Sequence, residues 1–168
     1  IALAALALAR AGDEVMAVLP ADHHMVDEAG FRAVLARAAG VAGAADRPLG
    51  GLGIAPTGPE TGYGYVVPAG PRPEAGAQAV RRFVEKPPAD AAAALLAGPD
   101  AVAWNAGIFL WQRDAIVDAF AAFAPDILDA VRDGVAGGAA ALGAAYETVR
   151  ATPIDYAVLE PASLAGRV

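Results

Sequence analysis

Four short strings of this sequence hold polar and charged residues that could bind a ligand or a metal ion. The first is Pro20-Ala21-Asp22-His23, which follows the apolar run Val15 to Leu19. A carboxylate just past a buried strand suits Mg2+, a hard cation that takes oxygen ligands and keeps several waters. The same residue type also caps helices and makes turns. His23 and His24 raise zinc, but adjacent loop residues seldom face one ion and no third ligand cluster follows, so zinc ranks below magnesium. The second string is Pro59 to Tyr65, with glycines at 62 and 64. Both Gly62 and Gly64 let the backbone approach a ligand closely, or simply make a turn. The third, Phe83 to Pro87, pairs Glu85 with Lys86. An ammonium clamps a phosphate as a point charge, and a carboxylate accepts from sugar hydroxyls; a solvated ion pair before a proline turn is the plainer alternative. The fourth, Trp104 to Gly107, contains Asn105, whose amide both donates and accepts. That suits a hydroxyl-rich ligand, and it equally suits satisfying the local backbone.

Composition narrows the classes. Among 168 residues, Lys86 is the single lysine beside eleven arginines, Asn105 the single asparagine, and Ser163 the single serine. There is no cysteine. Disulfides, thiolate nucleophiles and cysteine zinc sites are therefore excluded, and a cytoplasmic chain is expected. One serine and one adjacent histidine pair argue against a serine triad. The net charge of −7 leaves no basic stripe for nucleic acid. It does not forbid a phosphorylated small ligand, which needs only local cations or a metal. An apolar fraction of 57% rules out disorder as the main state. The run Ile1 to Ala9 is too short to span a bilayer. Gly50 to Gly53 lacks the later spacing of a phosphate-binding loop.

The elements that must hold these strings alternate. The chain begins inside a helical pattern, Leu3, Leu6 and Arg10, and is expected to be a piece of a longer protein. Short strands are predicted at Val15–Leu19, Leu52–Ile54, Tyr65–Val67 and Ala79–Val84. Asp27 should cap a helix ending near Gly40, with Phe31, Val34, Leu35 and Ala38 on one face. A short helix is expected from Asp90 to Ala97. Ala101–Trp104 and Gly107–Trp111 read as extended segments interrupted by Asn105. Ala115–Phe123 is an amphipathic helix, and Pro125 opens another carrying Ile127, Leu128 and Val131. Gly134 to Gly143 reads as a loose surface segment, and Ile154 to Leu159 as a last apolar element. Strands alternating with helices predict an α/β fold with a mainly parallel sheet, in one domain over 1–168. In such sheets ligands bind beyond the carboxyl ends of the strands, where all four strings are expected to lie.

In this order, the strings resemble the mannose-1-phosphate guanylyltransferase branch of the nucleotidyltransferase family that builds sugar nucleotides. The likeness extends to Ile1-Ala2-Leu3-Ala4-Ala5-Leu6, Gly53-Ile54-Ala55-Pro56-Thr57 and Ile154-Asp155-Tyr156-Ala157-Val158-Leu159-Glu160. It implies a Rossmann-like fold and transfer from GTP to mannose-1-phosphate, with Mg2+ as cofactor and pyrophosphate as leaving product. It further implies that Asp22 is a metal ligand, that Gly64, Glu85 and Asn105 contact mannose, and that Lys86 holds the sugar phosphate. A homodimer fits the resemblance; neither nucleic acid nor a membrane is implied as partner. Asp155 stands in a family string without an assigned role.

The sequence also departs from the pattern. The family's Gly-rich, Arg-containing phosphate loop is absent, and its second metal-binding aspartate would follow Val168. Gly50-Gly51, Gly58 and Pro153 stand where the family prefers other residues. These 168 residues alone are expected to show little transferase activity. The alternatives are a related enzyme using UTP, dTTP or ATP, and a non-catalytic sugar-phosphate-binding domain.

Overall fold

The structure is a computed structural model and describes residues 1–8, 11–70 and 77–168. In chain order the elements are α1 (Ala2–Ala7), β1 (Val15–Val18), α2 (Glu28–Ala42), β2 (Gly50–Ile54), β3 (Tyr65–Pro68) and β4 (Val80–Val84). Then follow α3 (Ala89–Ala97), β5 (Ala103–Gln112), α4 (Arg113–Phe123), α5 (Pro125–Gly137) and α6 (Ala139–Thr148). A π-helical turn, Asp155–Leu159, leads into α7 (Glu160–Leu164). Arg10 and most of the Pro/Gly-rich connection before β4 lie outside the described residues.

Local chemistry accounts for most boundaries. Asp27 caps α2, its Oδ1 accepting from the Gly30 amide at 2.9 Å, which satisfies one of the first-turn donors. The helix continues past Gly40 to Ala42, because packing outweighs one glycine's propensity. Pro125 opens α5, where its missing N–H costs nothing. The segment expected to be loose is helical instead: α5 runs to Gly137 and α6 begins at Ala139. Gly138, at φ +85°, makes the break between them. A Cβ on Gly134 would stand 2.9 Å from Leu142 Cα, so glycine permits the close approach of the two helices.

The sheet corrects the expectation of parallel strands: every strand pair is antiparallel. β5 lies at its centre and pairs with β1, β2 and β3, while β4 pairs with β3. The strands β1, β2 and β3 thus run one way, but no two of them are neighbours. Parallel neighbours need a crossover of a dozen or more residues, usually helical. The connection before β3 carries no helix, and β3 and β4 pair as a hairpin instead. β5 is also continuous through Asn105, which does not interrupt it.

Side chains alternate along β5 and so feed two layers. Phe109 and Trp111, stacked with centroids 5.5 Å apart, join the larger core with Ile116, Leu128, Val158 and Leu159. Ala106, Ile108 and Leu110 join Phe31, Leu35 and Ala38 of α2 on the other face. A third cluster packs Tyr65 and Val67 against Ala92 of α3. Helices therefore cover both faces of the sheet, as the α/β fold class requires. The last residues return to it: the Val80 amide donates to Val168 O (2.9 Å) and the Leu49 amide to Arg167 O (3.0 Å).

Candidate active site

Register along β5 creates the site. β1 pairs with residues 109–112 and β3 with 103–104, whereas β2 overlaps both of these stretches. A strand has two edges, so β1 and β3 share one edge of β5 and β2 takes the other. Between β1 and β3, residues 105–108 face no strand on that edge. Into this gap come the segment after β1, the segment before β3 and the end of β4. The expectation that all four strings follow strand carboxyl ends is therefore corrected. Asp22 and Glu85-Lys86 do, but Gly62-Gly64 leads into the amino end of β3, and Asn105 lies in the amino half of β5. They meet because antiparallel pairing sets the start of one strand beside the end of the next.

Three of the predicted residues converge closely. The Asn105 amide donates to Gly64 O at 2.8 Å. A Cβ on Gly64 would stand 2.3 Å from Glu85 Oε2 and 3.5 Å from Asn105 Cβ. Tyr65 pairs with both Val84 and Trp104, which brings the end of β4 and the start of β5 to either side of Gly64. Tyr65 is fully buried, and its hydroxyl donates to Glu60 O at 2.9 Å, tying down the preceding loop.

Lys86 joins them through an unusual backbone. Its φ is +45°, in the left-handed region that residues with a Cβ seldom enter. Neighbours on a regular strand point to opposite faces. The reversal at Lys86 instead lets its Nζ come within 3.6 Å of Glu85 Oε1. The Lys86 side chain is 63% exposed and that of Glu85 only 14%, so the cation reaches outward from a sheltered acid. Burial first, and then the Asp155 charge, push the Glu85 carboxyl above its ordinary range, with Lys86 partly opposing them.

Asn105 is held at further points. Its Nδ2 donates to Asp155 Oδ1 at 2.7 Å, and its Oδ1 accepts from the Gly107 amide at 3.1 Å. Gly107 has φ +67°, which aims that N–H back along the strand. Beside this cluster the Tyr63 and Trp104 rings meet at 5.0 Å, tilted by 60°.

The remaining predicted residues lie around the gap. Pro20 Cγ would be 3.8 Å from a Cβ on Gly107, so the segment after β1 starts at the gap, and Asp22 follows two residues later. Asp22, His23 and His24 are exposed, as is Gly62. Among the described residues no three acidic or histidine side chains cluster to hold a metal ion, which leaves the histidine pair without a zinc set. A cavity of about 470 Å3 lies elsewhere, between the α4–α5 junction and the π-helical turn, lined by Phe123, Asp126, Arg150 and Tyr156.

Similarity to known proteins agrees with this arrangement. Residues 1–145 match the family model described as nucleotidyl transferase. The chain belongs to the nucleotidyl transferase family. The xanthan biosynthesis protein XanB of Xanthomonas campestris (strain B100) is 41% identical over 168 residues, covering 95% of this chain and 34% of that protein. The mannose-1-phosphate guanylyltransferase of Escherichia coli (strain K12) is 42% identical over 137 residues, covering 77% of this chain and 28% of that one. The chain thus spans about a third of the length of these relatives. A crystal structure from Thermus thermophilus, described as a mannose-1-phosphate geranyltransferase, has a TM-score of 0.76 at 32% identity, covering 88% of this chain and 42% of that one. A Helicobacter pylori structure described as a mannose-6-phosphate isomerase, with a TM-score of 0.78 at 22% identity, shares the fold.

For this nucleotidyl transferase domain, sequence reasoning picked out the converging residues and missed what holds them. Asp155 is 50 positions from Asn105, and no local spacing pairs them. The aromatic pair at 63 and 104 was equally out of reach. The left-handed Lys86 carries a signal only in hindsight, as a non-glycine residue between a strand and Pro87.

Proposed function

We propose that the protein forms GDP-mannose and pyrophosphate from GTP and mannose-1-phosphate. The observation that carries the reading is the meeting of Gly64, Glu85 and Asn105 beside the Lys86 ammonium. Glu85 and Asn105 offer acceptors and a donor for hexose hydroxyls, and Gly64, having no side chain, lets the Glu85 carboxylate pack close beside it. Gly62 contributes backbone amides at the outer end of the same loop. Lys86 sits at the exposed edge, where it binds the sugar phosphate as a point charge.

In the reaction, a phosphate oxygen of mannose-1-phosphate attacks the α-phosphorus of GTP. A new P–O bond forms, the α–β phosphoanhydride bond breaks, and pyrophosphate leaves with the bonding electron pair. No covalent enzyme intermediate is required, so the protein's work is positioning and charge neutralisation. Asp22 fits a share in holding Mg2+: it is an exposed carboxylate two residues past Pro20, which packs against Gly107, and Mg2+ commonly takes one or two protein carboxylates with substrate phosphates and water. When bound, the ion neutralises phosphate charge. Lys86 fixes the attacking phosphate, while Glu85 and Asn105 orient the hexose.

The test is product analysis with the full-length protein, GTP, mannose-1-phosphate and Mg2+, with UTP, dTTP and ATP as competitors. GDP-mannose and one pyrophosphate per turnover are expected. Preferential use of another nucleotide would replace the proposed substrate. Binding of the sugar phosphate without turnover would make the domain a non-catalytic binder.

A further inference from the structure

We propose that Asp155 is a positioning residue that fixes the Asn105 side chain as a hydrogen-bond donor toward the sugar; this rests on the reading of the gap as the mannose-1-phosphate site. A free asparagine amide can rotate by half a turn and exchange its donor for its acceptor. Here both ends are committed. The carboxylate of Asp155 accepts from Nδ2 at 2.7 Å, and the amide of Gly107 donates to Oδ1 at 3.1 Å. Rotating the amide would set Oδ1 against a carboxylate and Nδ2 against an N–H, two repulsive contacts in place of two hydrogen bonds. The main chain of Asn105 is pinned as well, through its amide to Gly64 O. What remains for a ligand is the second Nδ2 proton and one Oδ1 lone pair, each at a fixed end.

The support for Asp155 comes from packing rather than from the site. Asp155 opens the π-helical turn, and Val158 and Leu159 of the same turn are fully buried in the main core. Their neighbours there include Phe109 and Trp111, which share the strand face of Asn105. The core thus sets the height of Asp155 above β5. After burial, the Asp155 charge is the second cause of the raised Glu85 pKa, so the same side chain bears on both hydroxyl-binding groups.

The experiment is a double-mutant cycle on the full-length protein, using Asp155→Ala, Asn105→Ala and the double variant, read as KM for mannose-1-phosphate and for GTP. Loss of a charge-assisted hydrogen bond predicts a rise of roughly 10- to 100-fold in the KM for mannose-1-phosphate in Asp155→Ala, with the KM for GTP unchanged. The double variant should be little worse than Asn105→Ala, because the two act as a unit. Asp155→Asn, which keeps an accepting oxygen, should recover most of the loss. Additive effects, or equal changes in both KM values, would overturn the proposal. If Asp155→Ala does not fold, Asp155→Asn and Asp155→Glu decide: Asn within about threefold of wild type and Glu about tenfold worse supports it, and equal values overturn it. Absence of any mannose-1-phosphate dependence in the wild type would refute the functional reading instead.

Discussion

Gly64 and Glu85 are built against each other: a Cβ on the glycine would lie 2.3 Å from the carboxylate Oε2. The contact follows from the β3–β4 hairpin, in which Tyr65 pairs with Val84 and so brings the residue before one strand beside the residue after the other. The glycine is needed for room and not for its own conformation. The space it leaves is where Glu85 turns its carboxylate toward Asn105.

Gly64→Ala should therefore displace the Glu85 carboxylate without unfolding the protein. The obstructing atom is the end of a flexible side chain, so the stability cost should stay near the low end of the about 1–3 kcal/mol that overpacking costs. The KM for mannose-1-phosphate should rise at least about tenfold, because a 1 Å misplacement is costly in a positioned site. Denaturant melts and steady-state kinetics on the same preparation check both halves.

At Lys86, function and backbone comfort are opposed. Lys86→Ala removes the ammonium and should raise the KM for mannose-1-phosphate roughly 10- to 100-fold. Lys86→Gly should lose binding equally, yet be more stable than Lys86→Ala by about 1 kcal/mol, because glycine occupies φ +45° without the Cβ clash. Equal stability of the two variants would show that the left-handed turn carries no strain.

The raised pKa of Glu85 predicts a pH-dependent stability. A carboxyl whose folded pKa lies above the unfolded one favours the folded state most below the unfolded value. Here that value is 4.5, and the contribution is lost as pH rises through the higher folded pKa. Glu85→Gln, which cannot ionise, should accordingly gain stability relative to wild type as the pH is raised from 4 toward 7. The difference in Tm between the two proteins, followed across that range, should open in this direction. Removing the Asp155 charge with Asp155→Asn should narrow it.

Tyr65→Phe isolates the loop anchor. The buried hydroxyl donates to Glu60 O, and its loss should cost about 1 kcal/mol. Because the ring is retained, the core should be unchanged. A loosened loop at Gly62 and Gly64 should raise the KM for mannose-1-phosphate severalfold while leaving that for GTP unchanged.

The sequence and the structure agree where the signal is local. Val15, Tyr65 and Val80 open strands within a residue of where apolar runs place them, Asp27 caps its helix, and Pro125 starts another. Gly64, Glu85 and Asn105 were legible as chemical types; that only Glu85 lies at a strand's carboxyl end was not. Nor was direction: alternating strands and helices suggested parallel pairing, and only register shows that each co-directional strand pairs with β5 and not with another. Asn105 read as a break because a lone polar residue among apolar ones resembles one; here its polarity is spent on Asp155 and Gly107 within an unbroken strand. The alanines after Gly138 gave no amphipathic stripe, yet they form α6 because alanine favours helix without needing a core. Contacts such as Asn105–Asp155 depend on the closed fold and leave no periodic trace.

The most direct test of the central claim is a crystal structure of the full-length protein with mannose-1-phosphate bound. The account predicts the hexose in the gap along β5, with hydroxyls on Glu85 and Asn105 and the phosphate on Lys86. A sugar phosphate bound elsewhere, with these three side chains left in contact only with protein and water, would contradict it.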